Sequence, residues 1–402
     1  MRAVFTPSTP FGSIAAPPSK SMAHRLLISA GLSDGVSRVS GIAPSEDVSA
    51  TIDCLSALGA QIDLAGDIAT VRGTDPRQVS NASLPCRESG STLRFFLPLC
   101  LLSGGTATLS GAPSLLSRPL SVYETLAGQK GFSLAKSGTA VRVSGSLTPG
   151  DYTVPGDVSS QFVSGLLFAL PLLESDSTIR LLPPLESKSY IDLTLSALSA
   201  FGVTAAWIDE TTLSVKGGQS YRPGDASVEG DWSNAAPFLS LGVPVTGLDP
   251  ESRQGDRRVA DLLAELDRGR AKIDLSDCPD LAPVLFAHAA LRHGGRFTGT
   301  RRLAIKESDR GQAMKTELEK CGVALDVGDN EITVGSGAKK PDEPLSGHND
   351  HRIVMAAAVL LSRLGGTVEG IEAVAKSYPD FFQQLQSVNI KVEIEHGMDI
   401  EK

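Results

Sequence analysis

Apolar and polar positions along the chain fall into a pattern that recurs six times. A small polar cluster opens each segment, and a strongly apolar stretch of helical length follows. The openings are Ser19-Lys20-Ser21, Ser89-Gly90-Ser91, Ser159-Ser160-Gln161, Asp231-Trp232-Ser233, Asp277-Cys278-Pro279-Asp280 and Asn349-Asp350-His351-Arg352. Apolar bodies such as Phe162 to Leu173 and Ile353 to Leu361 come next, and most lead into a short strand closed by Gly41, Gly111, Gly247, Gly299 or Gly370. A second half of the repeat reads as an amphipathic helix, a glycine and a two-stranded turn, as in 54–73, 195–217 and 317–337. Gly59, Gly131, Gly202 and Gly322 stand where a helix is closed by a left-handed residue. The alternation in Gln61-Ile62-Asp63-Leu64 predicts strands with one buried face.

The spacing sets the architecture. Ser21, Ser91, Ser160 and Ser233 are 70, 69 and 73 residues apart, Ser233 to Pro279 is 46, and Pro279 to Asp350 is 71. Six units of this size suit compact βαβ-type modules, grouped in threes so that each buries its face against neighbours. The expected fold is α/β, in two domains of three repeats each, with the break in the glycine-rich stretch 217–230.

Composition narrows the function. Hydrophobic residues make up 41% and charged residues 21%, the balance of an ordinary globular protein. No apolar run reaches the ~20 residues that cross a bilayer. The opening Met1–Pro7 has no signal-peptide core, which predicts a cytoplasmic protein. Five cysteines without a C-x-x-C pair read as free thiols, not as a disulfide frame or zinc site. The net charge of −9 argues against nucleic acid. P-loop, dinucleotide, H-E-x-x-H and G-x-S-x-G signatures are all missing, so no cofactor and no metal are expected. The chemistry falls to Lys, Arg, Asp and Glu. Helix N-termini carry unpaired N–H groups and about half a positive charge, so six of them aimed at one place suit a highly anionic substrate. Ser21 and Arg25 share a helix face, and Lys306, Glu307 and Arg310 lie within five residues, yet each cluster alone also reads as a capped helix with solvated charges.

Taken together, Pro18-Ser19-Lys20-Ser21 with Arg25, Glu88-Ser89-Gly90-Ser91-Thr92-Leu93-Arg94, Arg118-Pro119, Ser159-Ser160-Gln161-Phe162, Lys306-Glu307-Ser308-Asp309-Arg310, Asp350-His351-Arg352 and Lys376-Ser377-Tyr378-Pro379-Asp380 resemble the 5-enolpyruvylshikimate-3-phosphate synthase family. The resemblance runs from about Pro17 to Phe382. It implies an inverse α/β barrel of six βαβαββ units, with one domain at 19–228, the other at 1–18 plus 229–402, and the site in the cleft between them. The cleft would close when shikimate 3-phosphate binds.

The implied reaction moves the enolpyruvyl group of phosphoenolpyruvate to the 5-hydroxyl of shikimate 3-phosphate and releases phosphate. By this resemblance Ser159, Ser160, Ser187, Arg302 and Lys306 hold the shikimate phosphate, and Ser21, Arg25 and Tyr190 its ring and carboxylate. Lys20 and Gln161 touch both substrates. Gly90, Arg118 and Lys376 hold the phosphate of phosphoenolpyruvate, and Arg310 and Arg352 its carboxylate. Asp277, which also contacts the shikimate, is the expected base, Glu307 the acid, and Lys20 completes the catalytic set. Glyphosate is the expected inhibitor, and a monomer the expected state. Glu88 stands where many members have Asn, and so does Arg302. Two other readings share the fold. One is transfer to UDP-N-acetylglucosamine, whose enzymes typically carry a reactive Cys before an Arg-Pro. Here 111–118 has no Cys. The other is an inactive anion-binding module, which would need no acid and base.

Overall fold

The computed structural model describes residues 1–396. The chain forms two compact units: Pro18–Glu229, called the first unit here, and Met1–Pro17 together with the chain from Gly230 onward, called the second. Each has its own hydrophobic core.

The first unit contains three four-stranded sheets of one design. In spatial order the strands are Asp225–Ser227, Val36–Ser40, Ile68–Arg72, Gln61–Ala65; Asn81–Pro85, Thr106–Ser110, Ala140–Ser144, Ser133–Lys136; and Gly150–Pro155, Ser177–Leu182, Thr212–Val215, Ala205–Trp207. The first pair in each sheet is parallel and the remaining pairs are antiparallel. A parallel pair needs a crossover, and the helices Gly90–Cys100 and Ser160–Ala169 supply two of them. The first sheet takes its parallel edge from the far end of the unit, where Asp225 pairs with Arg38. The expected break at 217–230 contains this strand, and the two units divide at its end, between Glu229 and Gly230.

The second unit repeats the design with two changes. One sheet is complete: Ala271–Asp274, Gly295–Thr298, Glu331–Val334, Leu325–Val327. Another, Leu345–Ser346, Gly366–Glu369, Arg2–Thr6, Lys391–Glu395, takes a central strand from the start of the chain. The third is only the parallel pair Ile14–Ala15 and Val245–Thr246. Its missing hairpin accounts for the short 46-residue spacing.

The crossover helices are buried nearly all round, which is why they read as apolar without a polar face. Phe95 meets Phe168 edge-on at 5.5 Å, and Tyr123 meets Phe162 at 4.9 Å. At Gly165 an added Cβ would lie 2.4 Å from the Arg94 carbonyl oxygen, so glycine lets two helices approach. The glycines expected to close strands do follow them, and Gly41, Gly247, Gly299 and Gly370 have φ between 71° and 78°. The strand Gln61–Ala65 departs from its expected buried face. It is an edge strand with Leu64 exposed, while Ala69 and Val71 of its neighbour carry the burial. All five cysteines are free and buried. Among the described residues no helix is long and apolar enough to cross a membrane, and no His, Cys, Asp or Glu cluster could hold a metal ion.

Candidate functional site

The polar openings of the repeats act first as caps. In the first unit Ser19, Ser89 and Ser159 accept hydrogen bonds from the N–H groups of Met22, Thr92 and Gln161, each at 3.3 Å. Serine satisfies an orphan donor without adding charge, so the positive helix ends stay available to an anion.

Arg25 is buried on the helix Lys20–Gly31. Its Nη1 donates to the Ser21 carbonyl (2.7 Å), Nε to Thr194 Oγ1 (2.8 Å), and Nη2 to Ser164 Oγ (3.4 Å) and the Tyr190 carbonyl (3.0 Å). The guanidinium lies 5.2 Å from the centre of the Phe95 ring. Burial lowers it to about 10. Ser21, Arg25 and Tyr190 are thus brought together. Lys20 forms a 2.8 Å ion pair with Asp47 of the neighbouring helix Glu46–Ala57. His24 bonds Thr51 Oγ1 at 2.7 Å, and burial, followed by Lys20 and Arg25, holds its imidazole well below the usual range.

A second cluster joins Gly90, Arg118 and Gln161. Gln161 Nε2 donates to Ser91 Oγ (2.9 Å) and its Oε1 accepts from Arg94 Nη1 (2.6 Å), so the first turns of two helices meet. A Cβ on Gly90 would stand 2.7 Å from Arg118 Nη1 and 3.3 Å from Arg94 Nη1. Ser160 opens its helix, and Ser187 precedes the helix Lys188–Ala200 in the left-handed region at φ 55°. A serine there stores local strain that the surrounding structure holds.

The second unit uses aspartate at matching places. Asp231 accepts from the Asn234 N–H (2.9 Å), and Asp350 from the Arg352 N–H (2.9 Å). Asp280 lies in the short turn before the helix Ala282–Leu291, where no side chain caps the helix. Arg310, 1% exposed, is enclosed by three carboxylates. Nε reaches Asp350 Oδ2 (2.9 Å), Nη1 Asp280 Oδ1 (2.8 Å), and Nη2 Glu307 Oε2 (2.8 Å). Burial opposes its charge, but Asp350, Glu307 and Asp280 raise it well above the ordinary range. Lys306 Nζ sits 3.0 Å from Asp280 Oδ1. Burial alone would raise Asp280, yet Lys306, Arg310 and Arg352 outweigh it and hold the carboxyl well below the usual carboxylate range. Arg352 donates to Asn234 Oδ1 (2.9 Å) and Ser233 Oγ (2.5 Å). Lys376 Nζ donates to the Asn349 carbonyl (2.7 Å), and Arg302 Nη2 to the Ser276 carbonyl (2.7 Å).

Lys306, Glu307, Arg310 and Arg352 are therefore gathered, and Lys376 lies next to their loop. The carboxylate that pairs with Lys306 and Arg310 is Asp280, three positions beyond the sequence candidate Asp277, which is half-buried beside the buried Cys278. Asp280, Asp47 and Arg94 were not singled out from the sequence as site residues. Asp47 there reads as an ordinary acidic residue in a helix first turn, and Arg94 as one cation at the end of a motif.

One sequence family, EPSP synthase (3-phosphoshikimate 1-carboxyvinyltransferase), matches residues 6–385. The chain is 38% identical to the 3-phosphoshikimate 1-carboxyvinyltransferase of Clostridium kluyveri, over 95% of this chain and 96% of that one. It is also 38% identical to the same-named protein of Clostridium perfringens, over 96% and 98%. Among solved structures, an EPSP synthase from Acinetobacter baumannii superposes with a TM-score of 0.79 at 22% identity, covering 98% of this chain and all of that one, which shows a shared fold.

Proposed function

The chain belongs to the EPSP synthase family, and from that premise we infer that it transfers the enolpyruvyl group of phosphoenolpyruvate to the 5-hydroxyl of shikimate 3-phosphate, releasing phosphate. The observation that carries the residue roles is the enclosure of Arg310 by Asp280, Glu307 and Asp350, with Lys306 paired to the same Asp280.

Shikimate 3-phosphate is assigned to Lys20, Ser21, Arg25, Ser159, Ser160, Gln161, Ser187, Tyr190, Arg302 and Lys306. Phosphoenolpyruvate is assigned to Lys20, Gly90, Arg118, Gln161, Arg310, Arg352 and Lys376. Together the substrates carry roughly five negative charges. They compete with the protein's own carboxylates for the same cations, and this competition sets the acid–base chemistry. A phosphate that draws Lys306 away from Asp280 removes one of the cations that suppress its basicity. A carboxylate that engages Arg310 likewise loosens Glu307 and favours its protonated form. The base role accordingly moves from Asp277 to Asp280.

Asp280 takes the proton of the 5-hydroxyl as its oxygen bonds to C2 of phosphoenolpyruvate, and Glu307 delivers a proton to the C3 methylene. The resulting tetrahedral adduct collapses when Glu307 removes a methyl proton, the C2–O bond to phosphate breaks, and phosphate leaves with the proton that Asp280 held. Transfer to UDP-N-acetylglucosamine is not favoured by the family or the relatives. A cytoplasmic setting is proposed on the five free thiols. A phosphate-release assay tests the assignment. Phosphoenolpyruvate with shikimate 3-phosphate should release phosphate. The pairing with UDP-N-acetylglucosamine should release none, and turnover of the sugar nucleotide would overturn the reading.

A further inference from the structure

The segment between the strand Leu345–Ser346 and the helix His351–Leu364 is only four residues long, and two of them are strained. His348 and Asn349 have φ of 49° and 51°, the left-handed region that costs a residue with a Cβ about 1 kcal/mol or more. Gly347 has no room for a side chain, since a Cβ would lie 2.6 Å from Val354 Cγ2. Such a turn persists only where its surroundings hold it.

Two anchors hold it, and both run to the helix Arg310–Lys320. At its far end Asp350 pairs with Arg310. At its near end the buried carboxylate of Glu317, seven positions along the helix from Arg310 and so on the same face, collects three donors. His348 Nε2 lies 2.6 Å from Oε1, while Lys320 Nζ (2.8 Å) and the Ser346 N–H (2.9 Å) reach Oε2. An ionised carboxylate only accepts, so Nε2 carries the hydrogen. Burial alone would raise Glu317, but the bonds from His348, Lys320 and the Ser346 N–H outweigh it and keep the carboxyl below its ordinary range. Lys320 also donates to the Pro344 carbonyl at 3.1 Å.

The turn presents three groups of the second unit's half-site. The Asn349 carbonyl receives Lys376, Asp350 receives Arg310, and Arg352 opens the next helix. We propose that Glu317 and His348 are positioning residues for the phosphoenolpyruvate half-site, clamping this strained turn so that Lys376, Arg310 and Arg352 converge on one small dianionic or trianionic ligand. The proposal rests on the reading of function above. It requires neither residue to touch substrate.

The clamp acts on one substrate's groups and not the other's, which makes a kinetic split the decisive readout. With the purified full chain, His348→Ala should raise KM for phosphoenolpyruvate roughly tenfold, the scale of a sub-ångström misplacement of binding groups. KM for shikimate 3-phosphate and the melting temperature should stay close to wild type. His348→Gln, whose amide N–H can reach Glu317, should recover most of the loss, and Glu317→Gln should give the same split as His348→Ala. An unchanged KM for phosphoenolpyruvate would overturn the proposal. So would a parallel rise in both KM values with a lowered melting temperature, the mark of a structural role alone. Should the wild-type chain itself release no phosphate from the substrate pair, the functional reading fails and takes this one with it.

Discussion

Each unit buries an arginine, and the two arginines lead opposite electrostatic lives. Arg25 lies in the middle of the helix Lys20–Gly31, and Arg310 is the first residue of the helix Arg310–Lys320. Arg25 is met by hydroxyls and carbonyls, and burial lowers its affinity for its proton. Arg310 is met by three carboxylates that raise it. The caps of the repeat openings follow the same division, serine at three in the first unit and aspartate at two in the second. A neutral cap and a neutral shell leave positive charge unspent, which suits the capture of a phosphate. Carboxylate partners neutralise the cations and place ionised oxygens where protons can be moved. Lys20, paired with Asp47, departs from this division.

The largest contrast should appear in stability. Arg310→Met takes one buried cation away from Asp350, Asp280 and Glu307, and breaking a buried pair in this way costs about 3–5 kcal/mol. Arg25→Met leaves Thr194 and Ser164 bonded to each other at 2.7 Å and adds an apolar side chain beside Phe95. It should leave the unfolding midpoint in urea nearly unchanged while shikimate 3-phosphate binding is lost. Equal destabilisation by both would erase the comparison.

Next in size is the acid–base pair. Asp280→Ala and Glu307→Ala should each lower kcat by ~10²-fold or more, whereas Asp277→Ala should keep most of the rate. A severe loss in Asp277→Ala with an active Asp280→Ala, measured by phosphate release, would return the base role to Asp277.

A smaller effect tests the cation cluster around Gly90 in the first unit. The Cβ of Gly90→Ala would press on Arg118 Nη1 from 2.7 Å. Glyphosate, the longer occupant proposed for the phosphoenolpyruvate half-site, should lose affinity roughly tenfold while KM for phosphoenolpyruvate rises less, the expected scale for ~1.4 kcal/mol of lost contact. Inhibition constants that stay equal in both proteins would remove the steric argument.

The smallest effect is a slope. Burial, with Lys20 and Arg25, keeps His24 neutral below its ordinary value of 6.5. The unfolded chain takes up that proton as pH falls through 6.5 and the folded chain does not, so stability drops toward acid by at most ~1.4 kcal/mol per pH unit. His24→Gln should flatten this slope between pH 6.5 and 5. The slope from His288 in the second unit, whose burial also lowers it, should remain. Urea unfolding across that pH range measures both.

The helix openings were legible because capping is local. Ser89 bonds the N–H of Thr92 within one turn, and nothing distant is needed to recognise it. The glycines that close helices and strands are legible for the same reason, since a positive φ constrains a single residue. The sheets were less so. That Asp225–Ser227 completes the first sheet, or that Arg2–Thr6 lies between Gly366–Glu369 and Lys391–Glu395, follows from pairings between residues far apart in sequence. The proposal of Asp280 in place of Asp277 as the base rests on the same kind of distant pairing. Both acids flank Cys278-Pro279, and only Lys306 and Arg310, some 26 and 30 positions further on, distinguish them.

What the amino-acid order determined by itself is the repeat, the helix starts, the turn glycines and the set of charged residues available for chemistry, because each depends on neighbours within a turn or a strand. Tertiary structure alone decided which charges are spent. A guanidinium's protonation, a carboxylate's basicity and the space beside Gly90 depend on atoms a few ångströms away, many of which the chain supplies from 26 to 169 positions distant. Electrostatic energy varies with distance and burial, not with sequence separation.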